Sequence, residues 1–146
     1  MKPDPIKTTI PILLALTGLI PFLIILILLW LDNHPNLIKW FVAYGAVILS
    51  FLGAINWGLA LARKTNNTPN SNYLFVFSVI PALSAWVALV IAPGFGLGLL
   101  IISYAVHLVF DQQICHRLKM PNWYIKLRMW LSCLVILMMV LALSLY

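Results

Sequence analysis

Five long apolar stretches alternate with short polar ones along the whole chain, and this alternation predicts the architecture. The apolar stretches cover residues about 10–31, 38–62, 73–91, 95–113 and 124–146. Each is close to the roughly 20 residues that a helix needs to cross the hydrocarbon core of a bilayer. Between them lie turn-forming segments: Asp32-Asn33-His34-Pro35-Asn36, the uncharged TNNTPNSN of residues 65–72, Ala92-Pro93-Gly94, and a basic loop at 114–122. In lipid the backbone must satisfy its own polar groups, so apolar stretches of this length become helices. The expected fold is all-α, one integral membrane domain of five transmembrane helices. The tight Ala92-Pro93-Gly94 turn makes the third and fourth spans an antiparallel hairpin. Pro11 falls in the first turn of span 1, where a missing N–H costs little, and Pro21 is expected to kink that span.

Composition confirms lipid as the solvent. Of 146 residues, 64% are hydrophobic and only 8% charged, against about half and about a quarter in soluble domains. The N-terminus mimics a secretory signal, with Lys2 and Lys7 ahead of an apolar run. That run exceeds the 7–15 residues of a signal core and no A-x-A site follows, so it reads as a retained span. No Arg- and Ser-rich transit peptide is seen either, which favours a bacterial over an imported organellar protein.

The net charge of +6 is explained by its placement. Lys2, Lys7, Arg63, Lys64, Arg117, Lys119, Lys126 and Arg128 all fall on one side of the predicted membrane, and Lys39 alone on the other. The positive-inside rule then puts the N-terminus in the cytoplasm and the C-terminus in the periplasm of a bacterial inner membrane. Nucleic-acid binding is excluded by the thinness of any basic patch. Trp30, Trp40, Tyr44 and Tyr146 fit an outer aromatic belt, and Tyr73, Trp123 and Tyr124 an inner one.

Candidate chemistry is sparse. Span 2 carries Ala46, Ser50, Ala54 and Gly58 every four residues, widened by Gly53 into a small-residue face with Trp57 near its middle. Such ridges let helix backbones approach closely; the face serves packing within the chain, a partner protein, a second copy or a flat lipid. Asn56, on its flank, is either interhelical glue worth of order 1 kcal/mol or a functional contact. Span 4 presents Ser103, His107 and Asp111 at i, i+4, i+8, with Tyr104 beside them. His107 and Asp111 can form an oriented imidazole–carboxylate pair, or Asp111 simply sits in interfacial water. In span 5, Arg128 shares a face with Ser132. Arg128 either meets Asp111 in a bidentate pair or snorkels to lipid phosphate. Asn56, Trp57, Ser78, Tyr104, His107, Asp111, Arg128 and Ser132 all fall in the cytoplasmic third, so they form one candidate polar cluster.

Several chemistries find no residues to carry them. Cys115 and Cys133 have no CxxC or Cys/His set around them. Gly94-Phe95-Gly96-Leu97-Gly98 lacks the spacing and preceding strand of a dinucleotide site. No triad, metal motif or paired intramembrane carboxylate is seen, and no cofactor is called for. A pore needs polar lining across the membrane, whereas here only one end is polar.

Two segments carry a resemblance: YGAVILSFLGAINWG at 44–58, and PNWYIKLRMWL at 121–131, with Asp111 between them. With its P-x-W-Y-x-x-L-R pattern in span 5, the chain resembles a family of uncharacterised small membrane proteins of proteobacteria that includes the mitochondrial transmembrane protein 69. The likeness covers all five spans. It implies a five-span inner-membrane fold and no activity. It singles out Ser50, Phe51, Leu52, Gly53, Trp57 and Gly58, with Asp111, Trp123, Tyr124 and Arg128.

The leading functional expectation is an accessory, assembly or scaffolding protein that binds a membrane partner. The alternative is a binder or carrier of a lipid-like molecule, a quinone or a phospholipid, at the polar cluster. A small transporter ranks third and an enzyme last.

Overall fold

The computed structural model describes residues 9–32, 34–64 and 72–146. Residues 1–8, with Lys2 and Lys7, and most of the loop at 65–72 lie outside the described residues. Six helices follow one another: α1 (Thr9–Thr17), α2 (Ile20–Leu31), α3 (Pro35–Lys64), α4 (Asn72–Val90), α5 (Pro93–Arg117) and α6 (Asn122–Leu145). With α1 and α2 taken as one broken span, five helical segments are long and apolar enough to cross a membrane. Among the described residues there is no strand.

Prolines place the helix starts. Pro35 and Pro93 open α3 and α5, and Pro121 caps α6, positions where a missing N–H breaks no intrahelical bond. The break in span 1 sits at Gly18-Leu19, not at Pro21 itself. Pro21 cannot donate to the carbonyl four residues earlier, so the ladder fails in the preceding turn. The Gly18 carbonyl released there accepts a hydrogen bond from the Tyr44 hydroxyl at 2.9 Å. Tyr44 therefore points inward, against Phe22 at 4.8 Å between ring centroids, rather than joining the outer aromatic belt. A freed carbonyl in hydrocarbon needs such a partner.

Helix α3 is the centre of the bundle. It packs along α4 over its most extensive interface and also touches α2 and α5; α6 closes the bundle against α5 and α2. The core contains Phe22, Phe41, Leu49, Leu97, Leu100, Val135 and Met139. Close approach depends on three glycines. A Cβ on Gly45 would lie 2.7 Å from the Met139 methyl, and one on Gly53 would lie 2.6 Å from the Ser78 carbonyl oxygen. A Cβ on Gly96 would collide with the Ala88 carbonyl, which is how the α4–α5 hairpin closes.

Helix α5 runs past its expected end at 113 to Arg117, so the 4–5 connection shrinks to residues 118–121. Its C-terminus is a Schellman turn. The Met120 N–H donates to the Cys115 carbonyl at 3.0 Å and the Lys119 N–H to His116 at 3.1 Å. Lys119 takes the left-handed position at φ 51°, which usually belongs to glycine.

Candidate functional site

Seven of the eight candidate residues fall in three places. The first is an ion pair between α5 and α6. Arg128 Nε donates to Asp111 Oδ2 at 2.9 Å, and Nη2 donates to Oδ1 at 2.8 Å. Both side chains are buried. Of the two readings of Arg128, the fork to the carboxylate is the one found. Gln112 adds a weaker link across the same helix pair, from Nε2 to the Ile125 carbonyl at 3.4 Å.

The second place lies between α3, α4 and α5. Helices α3 and α5 run parallel, and Gly45 lies beside Leu100. Eleven residues further along each helix, Asn56 and Asp111 therefore reach comparable depth. Asn56 is 1% exposed, and its Oδ1 has no hydrogen-bond partner among the described residues. His107 Nε2 is likewise buried without a partner among the described residues, although Asp111 lies one turn further along the same helix. One side of the His107 ring borders a small crevice between α4 and α5, with Ser103, Phe77 and Phe110. The Ser78 hydroxyl turns back onto the Phe75 carbonyl at 2.6 Å.

Trp57 belongs to neither. It is 46% exposed on the outer face of α3 and meets Phe75 edge-on, at 5.0 Å between centroids. The small-residue face divides in the same way. Ala46 and Gly53 are buried and Ser50 is partly buried, its hydroxyl bonded to the Ala46 carbonyl at 2.9 Å. Ala54 and Gly58 face outward, and a Cβ on Gly58 would meet nothing within 4 Å.

The third place is a groove of about 450 Å³ between α1, α3 and α6. Its walls are apolar: Leu14, Phe22, Ile48, Phe51, Leu131 and Val135 among others. Tyr104, Arg128 and Ser132 reach it from inside, and Trp123 and Tyr124 stand at the end where α6 begins. From Trp123 to Val135 it extends about 18 Å along α6, at 1.5 Å per residue. It is not sealed, for Leu14 and Phe51 on its walls remain 67% and 63% exposed. The break at Gly18-Leu19 shapes it, because α1 beyond that break buries none of its residues and leaves α3 and α6 uncovered. The Tyr104 hydroxyl is already committed, donating to the Gly45 carbonyl at 2.9 Å.

This groove is the feature that residue-by-residue reading missed. Its lining comes from helices distant in sequence, chiefly α1, α3 and α6, each contributing ordinary apolar residues. The one available signal was the Pro21 break, which splays α1. Among the described residues no group of three or more His, Cys, Asp or Glu is placed to hold a metal ion. Cys115 and Cys133 are free thiols, buried and exposed respectively.

Five apolar spans with α3 at their centre, and polar groups gathered toward one end, define a small multi-pass membrane protein. The chain belongs to the family described as a protein of unknown function, DUF3429, which matches residues 8–144. It is 32% identical over 117 residues to transmembrane protein 69 of Xenopus tropicalis, covering 79% of this chain and 46% of that protein. To transmembrane protein 69 of Mus musculus it is 28% identical over 117 residues, 79% of this chain and 47% of the relative. The chain thus spans about half the length of these relatives. No solved structure matches it.

Proposed function

We propose that this protein binds a lipid-like molecule in the groove between α1, α3 and α6. The observation that carries the reading is the combination found there. An open apolar channel of about 450 Å³, within the 300–1,000 Å³ usual for ligand sites, passes a buried arginine and a serine. A long apolar ligand suits the walls, and its polar end suits the Arg128 region. This is the alternative raised from sequence, a quinone- or phospholipid-like ligand, with the opening between spans 1, 2 and 5.

Native mass spectrometry of the full chain from mild detergent tests it. One lipid-like molecule per chain is expected, and Ala15→Trp, which fills the groove from α1, should release it. Lipid-free protein, or retention by Ala15→Trp, defeats the proposal.

The accessory or scaffolding reading has its own observation in the outward half of the small-residue face. Ala54, Trp57 and Gly58 lie side by side on α3 with no helix over Gly58, a face suited to a partner's helix. A stoichiometric partner lost with Gly58→Leu would support it; a monodisperse monomer would not.

The charge pattern supports a bacterial inner membrane with both termini placed by the basic loops, N-terminus in the cytoplasm and C-terminus in the periplasm. A cysteine introduced by Met120→Cys should then react with an impermeant maleimide in inside-out vesicles and stay silent in intact cells. The reverse pattern would invert the assignment.

A further inference from the structure

We infer that the ligand in the groove presents an uncharged carbonyl oxygen, not a phosphate, to Arg128. The inference rests on the proposed groove binding and narrows its chemistry.

Arginine carries five N–H donors and no acceptor. Asp111 takes one from Nε and one from Nη2, which leaves two on Nη1 and one on Nη2. Arg128 borders the groove. Its Nη1 is not among the buried side-chain atoms without a partner, although no hydrogen bond joins it to another described residue. Nη1 therefore keeps some accessible surface, on a residue that borders the groove.

The charge of Arg128 is already matched. Arg128 and Asp111 sum to zero, and among the described residues no other charged side chain lines the groove. A phosphate there would bring an unbalanced negative charge into an apolar wall, at a heavy desolvation cost. A carbonyl accepts the spare N–H groups and leaves the balance intact. Ser132 lies one helical turn deeper on the same face and also borders the groove, so its hydroxyl offers a second donor at the same wall. The Tyr104 hydroxyl proton is spent on Gly45. Size agrees. A cavity of roughly 150 Å³ accepts a benzene ring, so about 450 Å³ accepts a ring or ester group together with a length of chain. The shared chemistry is a carbonyl beside an apolar body, supplied by a quinone ring or by an acylglycerol ester.

The test uses the full chain in nanodiscs of zwitterionic lipid, with three probes: a short-chain ubiquinone, a short-chain diacylglycerol and a short-chain phosphatidic acid. Thermal unfolding is followed against probe concentration. One of the two uncharged probes should raise the midpoint saturably, and which one does so identifies the source of the carbonyl. Phosphatidic acid should bind about tenfold more weakly or worse, the factor expected from a mismatched buried charge. Asp111→Asn keeps an acceptor for Arg128 but removes the negative charge, so it should reverse the order and favour phosphatidic acid. Should that variant not fold, the double variant Asp111→Leu with Arg128→Leu preserves an apolar wall and should lose carbonyl-probe binding by about tenfold.

Phosphatidic acid binding the unmodified chain as tightly as the uncharged probes overturns the inference and leaves the groove reading standing. So does an unchanged order in Asp111→Asn, or undiminished carbonyl binding in the double variant. Failure of every probe, together with lipid-free protein in native mass spectrometry, removes both.

Discussion

Arg128 and Asp111 meet in a two-pronged fork, with N···O distances of 2.8 and 2.9 Å between side chains that are both buried. The pair ties α6 to α5 near the short 118–121 connection. Each charge depends on the other, because the surroundings are hydrocarbon and protein. Removing either partner strands a buried charge, which typically costs about 3–5 kcal/mol. Removing both strands none. We therefore expect Arg128→Ala and Asp111→Ala each to lower the thermal unfolding midpoint in detergent sharply. The double alanine variant should unfold little below the worse single variant, and the double leucine variant closer to the unmodified protein. Losses that simply add would show that the two side chains act independently.

The glycines of α3 make a graded prediction. At Gly53 an added methyl meets backbone, the Ser78 carbonyl at 2.6 Å, and backbone cannot swing aside. At Gly45 it meets the flexible end of Met139 at 2.7 Å and Leu100 at 3.2 Å. At Gly58 it meets nothing. Gly53→Ala should cost at the upper end of the roughly 1–3 kcal/mol of overpacking, and Gly45→Ala less. Gly58→Ala should be neutral or stabilising by up to about 1 kcal/mol, the helix-propensity gain of alanine over glycine. Unfolding midpoints of the three variants in one detergent check the order. A destabilised Gly58→Ala would mean that this face is covered by a partner in the purified protein.

These same residues show what the sequence discloses. The five spans are legible because lipid permits only helices there, and hydropathy reports lipid directly. The Asp111–Arg128 pair is legible because a buried carboxylate and a buried guanidinium at matching depth have few other options. Which glycine carries the packing is not legible from spacing. Gly53 and Gly58 sit in one small-residue pattern, yet one is pressed on α4 and the other faces outward. That difference depends on the crossing point of α3 and α4, which no single helix records. Tyr44 is similar. As an isolated aromatic it suits an interfacial belt, and only the carbonyl freed at Gly18 explains why it turns inward.

That contact gives the next expectation. The Tyr44 hydroxyl satisfies the Gly18 carbonyl across 26 residues of sequence. Tyr44→Phe leaves the ring packing and deletes the donor, at a cost of about 0.5–1.5 kcal/mol for a single hydrogen bond. Because the lost bond lies at the α1–α2 break, the effect should be local. Hydrogen exchange should accelerate at the amides of residues 18–20, 22 and 23 and stay unchanged in α5. Uniform acceleration across the bundle would show that Tyr44 supports the global fold instead.

Lys119 offers a stabilising change. Its left-handed backbone, φ 51°, closes the Schellman turn that ends α5, and a side chain strains that conformation while glycine does not. Lys119→Gly relieves the strain at the price of a more flexible unfolded chain, for a net gain of about 0.5–1 kcal/mol. A rise of the unfolding midpoint is the expected reading; a fall would assign the lysine side chain a stabilising contact of its own.

Asn56 separates packing from function most cleanly. If it served as glue, its amide would bond to a neighbouring helix and its loss would cost of order 1 kcal/mol. Its Oδ1 instead has no partner among the described residues, although the residue is 1% exposed. A buried acceptor without a partner opposes stability, and replacing it with an apolar group of similar shape is nearly neutral or favourable. Asn56→Leu should therefore leave the unfolding midpoint unchanged or raise it by the equivalent of about 1 kcal/mol. Stability alone then gives no reason for an amide at this depth, level with Asp111 between α3, α4 and α5. If Asn56→Leu also leaves ligand retention in native mass spectrometry intact, the amide has no part in the proposed binding. If stability holds while the ligand is lost, Asn56 contributes to that binding from behind the Asp111–Arg128 fork. A clear fall in the midpoint would restore the structural role and show that the amide finds a partner in the membrane.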